Sequence, residues 1–143
     1  MVIHRIEVAP RDEVDDARGR AALAQASAAG LSRLPSRIQC ARVYLLEGEL
    51  NESELETVRR DLLGNPVTED AMSGSREAKS SSVIEVHPLP GVMDPAADAV
   101  EMALKSLLGR EVSVRTGVRY DMMDLDTAAA GELARHCLAN PLI

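Results

Sequence analysis

The chain states one pattern twice. It reads Ile6-Glu7-Val8 and then Glu13-Val14-Asp15-Asp16-Ala17 near its start, and later Ile84-Glu85-Val86 and then Gly91-Val92-Met93-Asp94-Pro95. The first half closes with Gly64-Asn65-Pro66-Val67 and the second with Ala139-Asn140-Pro141-Leu142. Between these ends lie Tyr44 and Tyr120, the two aromatic residues of the chain, at matching points. Solenoid repeats have periods of about 20–50 residues, and this one is longer. It predicts two copies of one small domain folded against each other.

Size says how the copies must meet. A chain of 143 residues buries close to 70% of its unfolded surface, whereas a half of that length buries only about 60% and is marginal alone. The halves should therefore share a core or a sheet. No apolar run reaches the roughly 18 residues that a membrane span needs, and no leader signature opens the chain, so the expected location is cytoplasmic. A net charge of −7 works against nucleic acid, whose affinity comes from neutralising phosphates with Lys and Arg.

Residues 2–8 alternate apolar and polar as a strand does. Asp16 then caps a helix to about Ala29, with Ala17, Ala21, Ala24 and Ala28 along one face. Residues 37–47 read as extended, as two strands or one bent one. Asn51 and Glu54 have capping-box spacing, and Leu55, Val58 and Leu62 mark a helix ending at Gly64-Asn65-Pro66. A last strand starts within Val67–Asp70. Residues 71–82 are small, polar and aperiodic, a linker. The second half repeats the order: a strand over 83–87, a helix capped by Asp94 with Pro95 at its first position, strand material over 111–122, and a helix from near Asp126 stopped by Asn140-Pro141. In its first helix Ala96, Ala99, Val100, Ala103, Leu104, Leu107 and Leu108 have the spacing of one buried face.

The expected fold is α+β: residues 1–70 as the first copy, 71–82 as linker and 83–143 as the second copy. Each copy is strand-helix-strand(s)-helix, a two-layer sandwich of helices on one face of a mostly antiparallel sheet. The bare face of each sheet would be covered by the other copy, back to back. The second copy stops at Ile143, where the first begins its last strand. The expected sheet is one strand short with an open edge, in a shortened chain or in a reading frame that continues.

The residues offer little chemistry. His4, His87 and His136 fall on unrelated elements, and Cys40 and Cys137 lack metal-ligand spacing and read as small buried hydrophobes. Asp15-Asp16 and Asp94 precede helices and read as caps rather than a divided catalytic pair. No phosphate-binding loop is present.

The loop ending Gly91-Val92-Met93-Asp94-Pro95 and the closure Leu138-Ala139-Asn140-Pro141-Leu142-Ile143, with their worn counterparts around Asp16 and Asn65-Pro66, resemble the PurS family, the small subunit of phosphoribosylformylglycinamidine synthase. The chain looks like the duplicated form at the N-terminus of large fused synthases. That resemblance implies a non-catalytic assembly role in purine synthesis, bridging synthetase and glutaminase components and shielding ammonia in transit. It implies no cofactor on this chain, with ATP and magnesium belonging to the rest of the synthase. Its motif residues are Asp16, Asn65, Pro66, Gly91, Asp94, Pro95, Asn140 and Pro141, with Tyr44 and Tyr120 on the matching strands. One departure is Glu13, which stands where the second copy has Gly91.

Two other readings fit the pattern. One is a ferredoxin-like or ACT-like module that senses a small molecule, with Asp94, Arg115 and Arg119 supplying a polar site between copies. The other is a self-associating scaffold without a ligand.

Overall fold

The computed structural model describes residues 2–12, 14–78 and 81–138. In chain order they form β1 (Ile3–Pro10), α1 (Ala17–Ala28), β2 (Arg37–Glu47), α2 (Glu52–Thr57), β3 (Glu69–Ser73), β4 (Ser81–Val86), α3 (Pro95–Leu108), β5 (Ser113–Met123) and α4 (Thr127–Leu133). α2 and α4 each widen into a π-helical segment, Val58–Leu63 and Ala134–Leu138. Every α-helix is capped as its sequence dictates: the side chains of Asp16, Asn51, Asp94 and Asp126 each accept a hydrogen bond from the backbone N–H three residues on. Among the described residues no helix is long and apolar enough to cross a membrane.

The strands form one antiparallel sheet in the order β3-β1-β2-β5-β4. Residues 37–47 make a single strand, not two. The halves meet edge to edge, through β2 and β5, and not back to back as the pattern suggested. That seam runs in unbroken register from Arg37↔Met123 to Glu47↔Ser113.

Side chains alternate across a strand, so register decides which ones share a face. Ile6 of β1, the set Ile38, Cys40, Tyr44 and Leu46 of β2, Val114 and Met122 of β5 and Ile84 of β4 all point to the helical side. Both core clusters draw on this side. One packs Ile6, Val8, Tyr44, Leu46 and Val114 under Leu55, Val58 and Leu63 of α2 and its extension and Ala97 and Leu104 of α3. The other packs Ile38, Cys40 and Met122 under Ala22 and Ala26 of α1 and Ala130 and Leu133 of α4. Each cluster mixes one helix from each half, so neither half carries a core of its own.

Two helix faces differ from expectation. Ala17, Ala21, Ala24 and Ala28 are exposed, and α1 instead buries Gly19, Ala22 and Ala26. Gly19 sets that choice: a Cβ there would lie 2.1 Å from the carbonyl oxygen of Ile38, so α1 lies on β2 closely at this one position. On α3 the buried residues are Ala97 and Leu104, with Val100 and Leu108 half-covered, while Ala96, Ala99 and Leu107 face outward.

Among the described residues the opposite face of the sheet carries no helix, yet Val43, Ala41 and Ala9 are buried there. A charged lattice covers them. Glu7, fully buried, accepts from Arg5 Nε and Nη2 at 2.9 and 2.7 Å and lies 3.3 Å from Arg119 Nη1. Arg119 also grips Asp121 through two bonds of 2.7 and 3.1 Å, and Arg5 reaches Glu85 at 2.7 Å. The connection from β3 to β4 crosses this face, because those strands are opposite edges. At its middle the Arg76 N–H donates to Glu7 (3.2 Å) and the Arg76 carbonyl accepts from Arg119 (2.8 Å). The described part of the expected linker, residues 71–78 and 81–82, is thus a strap, its first residues belonging to β3 and its last to β4.

A further ion pair joins the halves, outside this lattice. Glu54 closes the capping box on Asn51 and receives Arg110 through both carboxylate oxygens at 2.8 Å.

Removing a buried carboxylate strands its cationic partners, so Glu7→Ala should lower the unfolding free energy by about 3–5 kcal/mol, measured by urea denaturation. The Arg110 guanidinium, followed by the Asn51 backbone N–H, holds the Glu54 carboxyl down at about 2. A carboxylate depressed in the folded state stabilises above its unfolded value and loses that contribution as pH falls toward the folded value. The melting temperature should therefore fall as pH drops from about 4.5 to 2, with a smaller acid dependence in Glu54→Gln.

Candidate functional site

The helical layer is split. α2 and α3 cover one end of the sheet, α1 and α4 the other, and a cleft runs between the two pairs. On the β4 side it opens into a cavity of about 650 Å³, floored by Val118, Thr116 and Tyr44 and walled by Ile84, Val86 and Leu138. On the β1 side it continues as a cavity of about 300 Å³ bordered by Asp16, Val8, Thr68 and Glu69. Arg18 and Arg42 line both.

The motif residues of the sequence reading hold the edges of this cleft. Asp16 Oδ1 caps α1 on the Gly19 N–H (2.8 Å), while Oδ2 accepts from the Cys40 N–H of β2 (2.7 Å). Pairing of β1 with β2 ends at Val8↔Arg42, so the carboxylate satisfies a strand amide just past the last rung. Asp94 does the same in the second half, accepting from the Ala97 N–H and the Thr116 N–H, both at 3.1 Å, and from the Thr116 hydroxyl, beyond the last β4–β5 pair, Val86↔Val118. The sequence shows the helix cap; it does not show this second bond, which depends on a strand some twenty residues away. Pro95 occupies the first helical position and Gly91 a positive φ of 85°. Asn65 closes the turn ahead of β3: its side chain accepts from the Val67 N–H (3.0 Å) and its own N–H donates to Glu69 (3.0 Å). Glu69 in turn takes Arg42 (3.0 Å), and the Pro66 carbonyl accepts from Arg11. Asn140 and Pro141 lie outside the described residues, as does Glu13.

Tyr44 and Tyr120 occupy equivalent places. Tyr44 pairs with Ile6 and Tyr120 with Ile84, and two rungs on Arg42 pairs with Val8 and Val118 with Val86. Tyr44 belongs to one core cluster and Tyr120 borders the other.

Cys40 and His87 are occupied structurally. Burial pushes the Cys40 thiol up to about 12, which leaves it protonated and unreactive. His87 folds over Gly117 on the strap side of the sheet, where a Cβ would sit 2.3 Å from its ring. Asp94, Arg115 and Arg119 do not converge: Asp94 caps α3 on the helical face, whereas Arg115 and Arg119 point to the strap face, with Arg119 held by Glu7 and Asp121. Among the described residues no three His, Cys, Asp or Glu side chains gather as a metal site would require.

The second half of the chain, residues 81–143, matches the family model PurS, Phosphoribosylformylglycinamidine (FGAM) synthase. This stretch is similar to the PurS family. The match includes β4, the Asp94-Pro95 helix start and β5, which form part of the larger cavity's lining. No curated protein and no solved structure matches the chain.

Each aspartate does two jobs at once, so loss of either should cost more than an ordinary cap. Asp94→Ala and Asp16→Ala should each destabilise by about 2 kcal/mol, the upper end for cap removal, in chemical denaturation. Thr116→Val should reproduce only part of the Asp94 effect, since the Thr116 N–H remains.

Proposed function

We propose that this chain is a non-catalytic assembly module of phosphoribosylformylglycinamidine synthase, built from two PurS-like units fused in tandem. In this reading it bridges the synthetase and glutaminase components in the cytoplasm and shields ammonia on its way between them, while ATP and magnesium are handled elsewhere in the synthase. The observation that carries the reading is the PurS match over residues 81–143. The tandem arrangement is supported by register: shifting β1 by 78 positions and β2 by 76 converts the pair Ile6↔Tyr44 into Ile84↔Tyr120 and Val8↔Arg42 into Val86↔Val118. The central seam obeys the same rule, since Cys40↔Tyr120 and Tyr44↔Thr116 exchange under the shift of 76. The motif aspartates, Asp16 and Asp94, repeat one bonding pattern on equivalent strand amides.

The role needs shape more than reactivity. Ammonia is a small neutral base that water protonates readily, so a transfer route must be walled off, and a rigid sheet with satisfied polar groups can contribute such a wall. The proposal expects the purified chain to co-elute with the synthetase component at micromolar concentration and to raise the fraction of glutamine-derived ammonia that reaches the amidine product. Separate elution together with unchanged coupling would remove the bridging role.

A further inference from the structure

The larger cavity has a composition that the assembly role does not call for. Its walls are Ile84, Val86, Val118 and Leu138, and three arginines, Arg18, Arg42 and Arg135, reach it from α1, β2 and the π-helical segment after α4. Glu85 touches the rim but faces the strap side, where it pairs with Arg5 at 2.7 Å. Among the described residues neither Arg18 nor Arg135 has a carboxylate within ion-pair distance, whereas Arg42 pairs with Glu69 through Nη2 and only its buried Nε has no hydrogen-bond acceptor. Arg42 is matched by Glu69 at 3.0 Å, so in a protein of net charge −7 the positive potential between the apolar walls comes from Arg18 and Arg135.

We infer that this cleft binds a small organic anion: a flat apolar body seated on Val118 and Leu138, with its carboxylate, sulfonate or phosphate directed at the arginines. Guanidinium groups match such oxyanions through paired donors, and about 650 Å³ suits a drug-sized molecule, whose sites run from roughly 300 to 1,000 Å³. The inference stands apart from the synthase reading, since it uses the isolated chain and none of the partner components.

The test compares two dyes of nearly the same body, anilinonaphthalene sulfonate and uncharged phenylnaphthylamine, by fluorescence titration of the full chain. The sulfonate should bind at one saturable site, about tenfold more tightly than the neutral dye. Reversing both exposed arginines, Arg18→Glu with Arg135→Glu, should weaken the sulfonate by about tenfold or more while leaving the neutral dye and the melting temperature unchanged. Ala96→Trp, at an exposed helix position lining the cavity, should weaken both dyes by filling the space and serves if the charge reversal disturbs folding. Equal binding of the two dyes, or affinities that ignore both sets of variants, would overturn the inference.

Discussion

The fold depends on one seam. β2 and β5 are the longest strands, and their antiparallel pairing from Arg37↔Met123 to Glu47↔Ser113 fuses what would otherwise be two short, separately marginal layers. Once those strands are adjacent, the helices settle by connectivity: α2 comes to lie beside α3, and α1 beside α4. Each apolar cluster then has walls from both halves. A small unit has too much surface for its volume, and sharing one sheet with two mixed clusters relieves that constraint without a second sheet layer.

The price of a single helical layer is a sheet face with no apolar cover, and charge supplies the cover instead. Glu7 and Arg119 are buried but meet each other, Arg5, Asp121 and the Arg76 backbone. Buried charges are tolerable when their remaining hydrogen-bonding capacity is met, and here the chain that joins the halves helps to meet it. The helical face shows the converse: its central cleft remains because the two helix pairs turn toward opposite ends of the sheet, and the caps Asp16 and Asp94 tie the helix starts to strand amides at its borders.

Local signals were legible in the sequence. The caps Asp16 and Asp94, the capping box at Asn51, the turn at Asn65-Pro66 and the α+β class follow from residues within a few positions of one another. What failed were choices made by distant contacts. The alanine stripe of α1 suggested a buried face, but alanine marks a side only weakly, and the near-contact of Gly19 with the Ile38 carbonyl turns the helix differently. Outward Leu107 and inward Ala97 on α3 are the same kind of case. Glu7 sits at a polar position of an alternating strand, and nothing nearby reveals that Arg119, over a hundred residues away, will bury it. The cleft was illegible because its lining comes from residues scattered from Arg18 to Leu138. The PurS resemblance was readable at Gly91–Pro95, within the matched region, and fainter in the first half, where Glu13 and Asp16-Ala17 replace its glycine and Asp-Pro step.

The clamped peptide at Arg76 has a consequence for how larger assemblies could be stacked. A crossing chain laid over the centre of a pleated surface acts as a spacer, holding any incoming flat layer beyond side-chain reach of Val43. Neighbours of this protein must therefore approach from its helices or its rims, unless they first peel the tether away and uncover the ions beneath it.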